Sequence, residues 1–319
     1  MQYRQLGNAG MRVSAVSIGG WINFGEDKVQ KDIGRKIVET AYENGINFFD
    51  IADIYGKGKS ETEMGEVLAQ YPRHTLVISS KVFWPMSDDT NDKGLSRKHV
   101  MESIDKSLER IGTDYLDIYF CHRYDDNTPT REIARTMNDL IEMGKVHYWG
   151  TSEWPATRIQ EAYDICERYG WHLPQVEQPQ YSMLFRERVE DEILPVTNPR
   201  GIGIVPWSPL AMGMLTGKYD DGVPEDSRFG REEWAKKRFL NNENAEKVRQ
   251  LKPIADDLGI TRAQLALAWL LRHPLISSVI TGATKPEQVE ANVKAADVEL
   301  SPEHIDQIDQ ILSGTTEPA

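Results

Sequence analysis

The chain has 319 residues, with 50 acidic and 37 basic side chains and a formal net charge of −13. That length accommodates two ordinary domains or one large α/β barrel, and the acidic balance argues against nucleic acid or an anionic membrane as the main partner. The two cysteines, Cys121 and Cys166, form neither a CxxC pair nor a disulfide framework, which fits a reducing compartment.

The first predicted element is a β-hairpin that caps a larger fold. Residues 2–6 and 11–15 flank the run Gly7-Asn8-Ala9-Gly10, whose residues supply the positive φ angles of short hairpin loops. A β-type run at Val13–Gly20 follows, and then a helical pattern with apolar residues at Ile33, Ile37, Val38 and Ala41. This order predicts a βα unit directly after the hairpin.

The same alternation of a short β-type run and an amphipathic helical pattern returns along the chain. The clearest helical stripe has Val100, Ile104, Leu108 and Ile111 on one face, and a last stripe at Ile305, Ile308 and Leu312 predicts a carboxy-terminal helix. Eight βα units predict an α/β fold, a (β/α)8 TIM barrel that forms one domain over residues 1–319. The seven further runs are Ile46–Asp53, Thr75–Val82, Tyr115–His122, Val146–Glu153, Pro174–Tyr181, Gly201–Ser208 and Ser277–Thr284.

The longest connection follows the seventh predicted strand. It includes Lys218–Gly230, which is rich in Gly, Asp and Pro and has little apolar periodicity. A long connection without regular structure in a compact fold is typical of a functional loop.

The second predicted strand carries a buried acid, Asp50, and opens into a polar loop at Tyr55. An unpaired charge in a low-dielectric interior costs several kcal/mol or more, so Asp50 requires a nearby cation. Taken alone, Asp50 is better explained as a strand-end carboxylate with a structural partner, and Tyr55 as an ordinary half-buried ring.

Active sites of such barrels lie at the carboxyl ends of the strands, where Lys81 ends the third run and His122 the fourth. Each residue also has a purely structural explanation: Lys81 as a surface cation at a strand end, and His122 as a core histidine whose hydrogen bonds are satisfied. Together with Asp50 and Tyr55 they predict a proton-transfer site. Asp50 holds Lys81 as a cation, Lys81 stabilises the Tyr55 phenolate, Tyr55 exchanges a proton, and His122 hydrogen-bonds a substrate carbonyl oxygen. Such a site suits a carbonyl that receives a hydride from a nicotinamide cofactor.

These strand ends carry four motifs: Phe-Asp50-Ile-Ala-Asp-Ile-Tyr55-Gly, Ser-Ser-Lys81-Val-Phe-Trp, Tyr-Trp149-Gly-Thr-Ser152 and Pro-Trp207-Ser-Pro-Leu-Ala. With them the chain resembles the aldo-keto reductases from Tyr3 to Leu312, in the branch that contains the β-subunits of voltage-gated potassium channels and their bacterial relatives. The resemblance implies a catalytic tetrad of Asp50, Tyr55, Lys81 and His122, with Tyr55 as general acid in reduction. The channel subunits have Asn at the position of His122, and no long segment precedes Met1, so we expect a free-standing enzyme.

The resemblance also implies NADPH, bound across the barrel mouth without a Rossmann fingerprint or a P-loop, neither of which the glycines of this chain complete. Gly20 and Trp21 would border the nicotinamide, Trp207 would lie against its ring, and Ser152 and Gln178 would reach its carboxamide. Core packing is the alternative for Trp207, and a solvated helix start is the alternative for Lys285 and Gln288. The pyrophosphate path would be lined by Ser208, Pro209, Leu210 and Lys218. The adenosine 2′-phosphate site would be formed by Arg228, Gly282, Thr284 and Gln288, with added charge from Lys285, and Asn292 also matches the cofactor-binding pattern.

Two positions depart from the family pattern. Glu153 stands where relatives usually have Asn or Arg, which puts one carboxamide or pyrophosphate contact in doubt, and Ala291 stands where many have Glu, which weakens the expected adenine contact. The substrate pocket is predicted on variable loops, at Trp21, Phe24, Trp84, Arg123 and Tyr124.

Three functions fit these observations: an NADPH-dependent carbonyl reductase, a redox-sensing regulatory subunit that binds NADPH and turns over slowly, and a lyase that uses Lys81 as a Schiff base. Of the three functions, the carbonyl reductase gives a role to the largest number of these candidate site residues. We expect a small carbonyl substrate, no metal and no membrane partner. We expect a cytoplasmic location because no signal peptide or span of ~20 apolar residues is present, and by resemblance a homo-oligomer, a tetramer or octamer.

Overall fold

The computed structural model describes residues 1–21, 24 and 29–314. The chain begins with an antiparallel hairpin of β1 (Tyr3–Gln5) and β2 (Arg12–Ser14). Gly7 turns the hairpin with a φ of 55°, and a Cβ there would lie 2.4 Å from the carbonyl oxygen of Gly201. Only glycine fits this close approach, which seats the hairpin on the amino-terminal end of the barrel. The predicted hairpin cap is confirmed.

Eight parallel strands form the barrel, and each neighbours the next along the chain. The last two strands along the chain are the two edges of this sheet. Parallel bridges from Ile204 to Ile276 and from Trp207 to Ile280 join these edges and close the barrel. The predicted (β/α)8 architecture is therefore confirmed. The strands are β3 (Val16–Gly19), β4 (Phe48–Asp50), β5 (Val77–Val82), β6 (Leu116–Cys121), β7 (Val146–Ser152), β8 (Val176–Gln178), β9 (Gly203–Ile204) and β10 (Val279–Thr281).

The helices pack around the strands through the apolar stripes that the sequence indicates. In α3, for example, Ser96 caps the first turn by accepting the amide of His99, and Val100, Ile104 and Ile111 are buried. The helices are α1 (Lys31–Glu43), α2 (Lys59–Leu68), α3 (Arg97–Ile111), α4 (Thr130–Glu142), α5 (Ala156–Tyr169), α6 (Leu194–Thr197), α7 (Arg228–Arg231), α8 (Glu233–Phe239), α9 (Asn242–Gln250), α10 (Lys252–Asp257), α11 (Arg262–Leu271), α12 (Pro286–Val293) and α13 (Pro302–Ser313). None of the helices within the described ranges has both the length and the apolar character to cross a membrane.

Several strands are shorter than predicted, and proline explains two of them. The run 174–181 narrows to β8 and the run 201–208 narrows to β9, because Pro179 and Pro206 have no amide to continue the ladder. Beyond these prolines single bridges at Gln180 and Trp207 keep the strands in register. The connection from β9 to β10 holds α7–α11, and the predicted loop 218–230 is made of turns until α7 begins at Arg228.

Candidate active site

The four predicted catalytic positions meet because alternate residues of neighbouring strands face the barrel interior. Phe48, Val77, Ile118 and Phe120 belong to the interior core, and strand periodicity places Asp50, Lys81 and His122 on the same inward face, closer to the carboxyl ends. The polar layer therefore lies directly on a layer of apolar side chains. That arrangement positions the polar groups at the end of the barrel opposite the hairpin.

Asp50 and Lys81 form a buried ion pair at the centre of this layer. Lys81 Nζ lies 2.7 Å from Asp50 Oδ2 and 2.7 Å from the carbonyl oxygen of Ile51, and the two residues are 0% and 3% exposed. Ser79 Oγ and Gln178 Nε2 donate to Asp50 Oδ1 at 2.6 and 3.1 Å. Burial alone would lower the pKa of Lys81, but Asp50 and Tyr55 outweigh it and the pKa is raised. Lys81 is thus a fixed cation.

Tyr55 begins a short 3-10 turn, Tyr55–Gly58, that follows β4. Its ring centroid lies 4.9 Å from Lys81 Nζ and 5.8 Å from the His122 ring centroid. Burial raises the pKa of the Tyr55 phenol, Lys81 opposes that rise, and Asp50 adds to it. The sequence-based expectation emphasised the Lys81 effect, whereas in the structure burial is the larger influence. The phenol therefore holds its proton at neutral pH and can act as an acid.

His122 is buried at the end of β6, with its backbone amide bonded to the carbonyl oxygen of Val82 at 3.0 Å. Burial, together with the positive charges of Lys81 and Arg123, lowers the pKa of His122 well below its usual value. The imidazole is therefore neutral and carries a single N–H. Its Nδ1 has no hydrogen-bond partner within the described part of the chain.

A cavity of about 990 Å³ opens above these residues and is lined by Asp50, Tyr55 and His122 at its floor. Its volume is at the upper end of the range for ligand pockets. Tryptophans surround the floor: Trp21 lies edge-on to Trp207 at 6.1 Å, and Trp84 lies edge-on to His122 at 6.3 Å. Chemically, the site combines a proton donor, a fixed cation and a neutral hydrogen-bond donor beside an aromatic wall.

Three of the five predicted substrate-pocket residues line this cavity, namely Trp21, Trp84 and Arg123. The other two assignments disagree with the structure. Phe24 is buried in the core, where its ring packs against the backbone of Gly34 in α1. Tyr124 is outside the cavity lining: its ring lies edge-on to Trp154 at 4.9 Å, and its hydroxyl hydrogen-bonds Thr130. Both residues follow a strand end, but their side chains turn outward.

Trp234 was missed by the sequence reasoning. It lies on α8, it is 45% exposed, and its ring centroid is 6.2 Å from that of Trp21, which lines the cavity. The available signal was a lone tryptophan within the charged run Glu232-Glu233-Trp234-Ala235-Lys236-Lys237. A single exposed aromatic residue is common on protein surfaces, so this signal alone did not point to the site.

Nearly all of the predicted cofactor residues line the same cavity. Gly20 does not: its amide bonds the carbonyl oxygen of Asp50 and its carbonyl accepts from Ser60, while neighbouring Gly19 faces the cavity. Lys285 is exposed outside the lining. The residues that do line it are Trp21, Ser152, Gln178, Trp207, Ser208, Pro209, Leu210, Lys218, Arg228, Gly282, Thr284, Gln288 and Asn292.

The loop after Trp207 has a strained backbone along the cavity wall. Ser208, Ala211 and Met212 have φ angles of 52°, 47° and 56°, although none is glycine. Such conformations cost of order 1–3 kcal/mol each and cluster at binding and catalytic sites. The Lys218 side chain crosses this loop so closely that a Cβ on Gly213 would lie 2.8 Å from its Nζ. A lysine side chain next to a loop with left-handed backbone conformations can bind an anion such as a diphosphate.

The two departures from the family pattern have structural consequences. Glu153 also has a positive φ, 56°, and its carboxylate accepts hydrogen bonds from the Gln180 amide, Trp207 Nε1 at 2.9 Å and Arg188 at 2.7 Å. It therefore fixes the Trp207 ring instead of facing a ligand. Ala291 lines the cavity, so its side chain leaves room where a longer one would make contact.

A second buried polar cluster supports the Tyr55 turn from behind, between the barrel and α2. Glu61 accepts from Ser80 Oγ and from Arg110 Nε, both at 2.6 Å, and Asp53 Oδ1 accepts the amide of Ile54 at 2.6 Å. Burial and the nearby Glu61 charge raise the pKa of Asp53 well above its usual value. This cluster holds the backbone that carries Tyr55.

Known proteins are similar to this chain along nearly its whole length. The sequence profile described as Aldo/keto reductase family matches residues 15–313. A protein named "Probable voltage-gated potassium channel subunit beta" from Arabidopsis thaliana is 46% identical, with 98% of this chain and 97% of that protein covered. One with the same name from Oryza sativa subsp. japonica is 44% identical at the same coverage, and a "Putative voltage-gated potassium channel subunit beta" from Schizosaccharomyces pombe is 41% identical, over 98% of this chain and 94% of the relative.

Proposed function

Because the chain belongs to the aldo/keto reductase family, we propose that it is an NADPH-dependent reductase that converts aldehyde or ketone carbonyls to alcohols. An oxidoreductase role follows from family membership. The finer proposal rests on one observation above all: the fully buried Lys81 cation lies between Asp50 and the Tyr55 ring at the floor of the cavity. No nucleophile is needed for this chemistry.

In the proposed mechanism the protein moves one proton and stabilises one developing charge. When bound, NADPH supplies the hydride to the carbonyl carbon. The Tyr55 hydroxyl gives its proton to the carbonyl oxygen, and the phenolate that remains is stabilised by Lys81. At ~4 Å and an effective dielectric of ~20, one such charge is worth ~4 kcal/mol before desolvation is subtracted. Asp50 keeps Lys81 charged and oriented throughout.

His122 is proposed to orient the substrate. Its neutral ring carries one N–H, which can hydrogen-bond the carbonyl oxygen as negative charge develops there. Because the imidazole is not charged, it does not compete with Tyr55 as the proton source. This divides the work between a residue that places the carbonyl and a residue that protonates it.

The residues present fit NADPH. The aromatic ring of Trp207, fixed by Glu153, would lie against the nicotinamide, and Ser152 and Gln178, which line the same cavity, would reach its carboxamide. Lys218 and the strained loop would hold the diphosphate, and Arg228, Thr284 and Gln288 the 2′-phosphate near the amino terminus of α12. The preference for NADPH over NADH is part of the proposal.

The alternative is a regulatory subunit that binds NADPH and turns over slowly. The observation that favours it is the name of the relatives, which are described as potassium channel β-subunits at 41–46% identity. A Schiff-base lyase is disfavoured because Lys81 is 0% exposed and its pKa is raised, so the amine is protonated and inaccessible. We further propose a cytoplasmic location, on the cysteine usage, and a homo-oligomer, on the resemblance.

The two functions are separated by measuring binding and turnover together. NADPH affinity is determined by tryptophan fluorescence, and steady-state NADPH oxidation is followed at 340 nm with a panel of small aldehydes and ketones. Carbonyl-dependent oxidation supports the reductase. Tight NADPH binding without turnover on any member of the panel would favour the regulatory subunit, and the absence of NADPH binding would contradict both.

A further inference from the structure

Arg123 is an arginine at the cavity floor that the proposed mechanism leaves without a task. It directly follows His122 and lines the cavity beside it. Its guanidinium carbon lies 5.6 Å from the centroid of the Trp84 ring, and Nη1 donates to the carbonyl oxygen of His122 at 2.5 Å. The guanidinium is therefore held next to the group proposed to place the substrate carbonyl.

Unlike several other part-buried arginines, Arg123 has no carboxylate partner in the described part of the chain. Arg4 and Arg272 also bond backbone carbonyl oxygens instead, but they lie outside this cavity. Arg73, Arg110, Arg186 and Arg188 each form an ion pair with an Asp or Glu at 2.6–2.7 Å. Within residues 1–21, 24 and 29–314, no carboxylate oxygen lies within 4 Å of Arg123; its contacts are a carbonyl oxygen and an aromatic ring. A half-buried guanidinium with spare donors is a site for an anion.

Two acids, Glu153 and Glu177, are close enough to influence the charge of Arg123, but neither neutralises it. Glu153 is engaged with Arg188, Trp207 and the Gln180 amide. Glu177 bonds Thr151 Oγ1 at 2.5 Å, and burial raises its pKa to about 8, so it is mostly protonated at neutral pH. Since Lys81 is paired with Asp50 and Arg188 with Glu153, Arg123 leaves the floor of the cavity with an uncompensated positive charge.

We propose that Arg123 binds a carboxylate on the substrate, so that the protein acts on aldehydes or ketones that carry a carboxylate on a flat apolar body. This rests on the proposed function, since it names the substrate class of the same site. A planar carboxylate matches the guanidinium fork, and the Trp84 ring, which neighbours both the guanidinium and the His122 ring, can receive the apolar body. The reaction adds one hydride and one proton to the carbonyl and leaves the carboxylate unchanged.

The test compares 4-carboxybenzaldehyde with its methyl ester, which keeps the ring and the aldehyde and masks the negative charge. The ester is the more electron-withdrawing group, so its carbonyl is intrinsically the more reactive. We expect kcat/KM nonetheless to favour the acid at least about tenfold, as a charge-assisted hydrogen bond implies. In Arg123→Met that ratio should fall to about one or below, and Arg123→Lys should retain part of it.

Arg131→Met is the matched control. Arg131 also stacks on an aromatic ring, at 4.6 Å from the Tyr169 centroid, but lies outside the cavity. It should keep the wild-type ratio.

The possible failures are distinguishable. Wild-type turnover of both aldehydes without preference for the acid would overturn the carboxylate site and leave the reductase intact, whereas absence of turnover on either would count against the reductase itself. An unchanged ratio in Arg123→Met, with weaker NADPH binding by fluorescence, would assign Arg123 to the cofactor and also overturn the proposal.

Discussion

A double-mutant cycle on Asp50 and Lys81 tests whether the ion pair is as buried as the site requires. At the observed 2.7 Å and an effective dielectric of ~20, the attraction between the charges is about 6 kcal/mol before desolvation. Removing one partner leaves a buried charge unpaired, which costs roughly 3–5 kcal/mol. We therefore expect Asp50→Asn and Lys81→Met each to lose that much free energy of unfolding. The double variant should lose much less than the sum, because it leaves no unpaired charge.

The assay is urea unfolding at pH 7, followed by tryptophan fluorescence after reversibility is established. The folded pKa of Lys81 is raised above 10.5, so the contribution of the pair is complete below pH 10.5 and disappears only as pH rises through the folded pKa. The pair Lys252 and Asp256, 2.5 Å apart but mostly exposed, is the control and should show a coupling below about 0.5 kcal/mol. Additive losses at Asp50 and Lys81 would refute the reasoning.

Three further outcomes are expected. Glu153→Ala removes the acceptor of Trp207 Nε1, so the Kd of NADPH, measured by fluorescence titration, should rise about tenfold. The rise should be smaller in Glu153→Gln, which keeps an acceptor. Equal NADPH affinities of the wild type and Glu153→Ala would contradict the role of Glu153. Ala291→Glu should restore an adenine contact worth ~0.5–1.5 kcal/mol, lowering the Kd about two- to tenfold, and an unchanged Kd would place the adenine elsewhere. The pKa of Glu177 is raised to about 8, so the free energy of unfolding of the wild type falls as pH rises from about 4.5 to 8. In urea unfolding, the free energy of unfolding of Glu177→Gln should therefore rise by about 4 kcal/mol relative to that of the wild type between pH 5 and pH 9. A difference that does not change with pH would show that Glu177 is ionised in the folded protein.

The barrel and the central ion pair could be predicted because both follow from rules that act locally. Strand-and-helix alternation indicates the architecture, and the need to pair a buried charge connects Asp50 to Lys81 before any coordinates are known. The strand ends were less predictable. Whether a residue just past a strand turns inward, as Arg123 does, or outward, as Tyr124 does, depends on one backbone turn that the sequence pattern does not specify.

Other features depend on contacts between distant segments. Glu153 looked like a lost cofactor contact, yet it holds Trp207, 54 residues later in the chain, and its positive φ is set by the tertiary structure. Trp234 on α8 lies next to Trp21, more than 200 residues earlier in the chain, a contact that only the tertiary structure creates. Likewise, the raised pKa of Tyr55 reflects how completely neighbouring elements exclude water, which residue types alone do not reveal.

The most direct test of the central proposal is the single-turnover rate of NADPH oxidation by Tyr55→Phe with a saturating aldehyde. This variant keeps the ring beside Lys81 and His122 and removes only the hydroxyl. General acid catalysis contributes ~10²–10⁴-fold, so the rate should fall by at least about a hundredfold while the Kd of NADPH stays within about twofold of the wild type. A rate equal to that of the wild type would show that Tyr55 is not the proton donor.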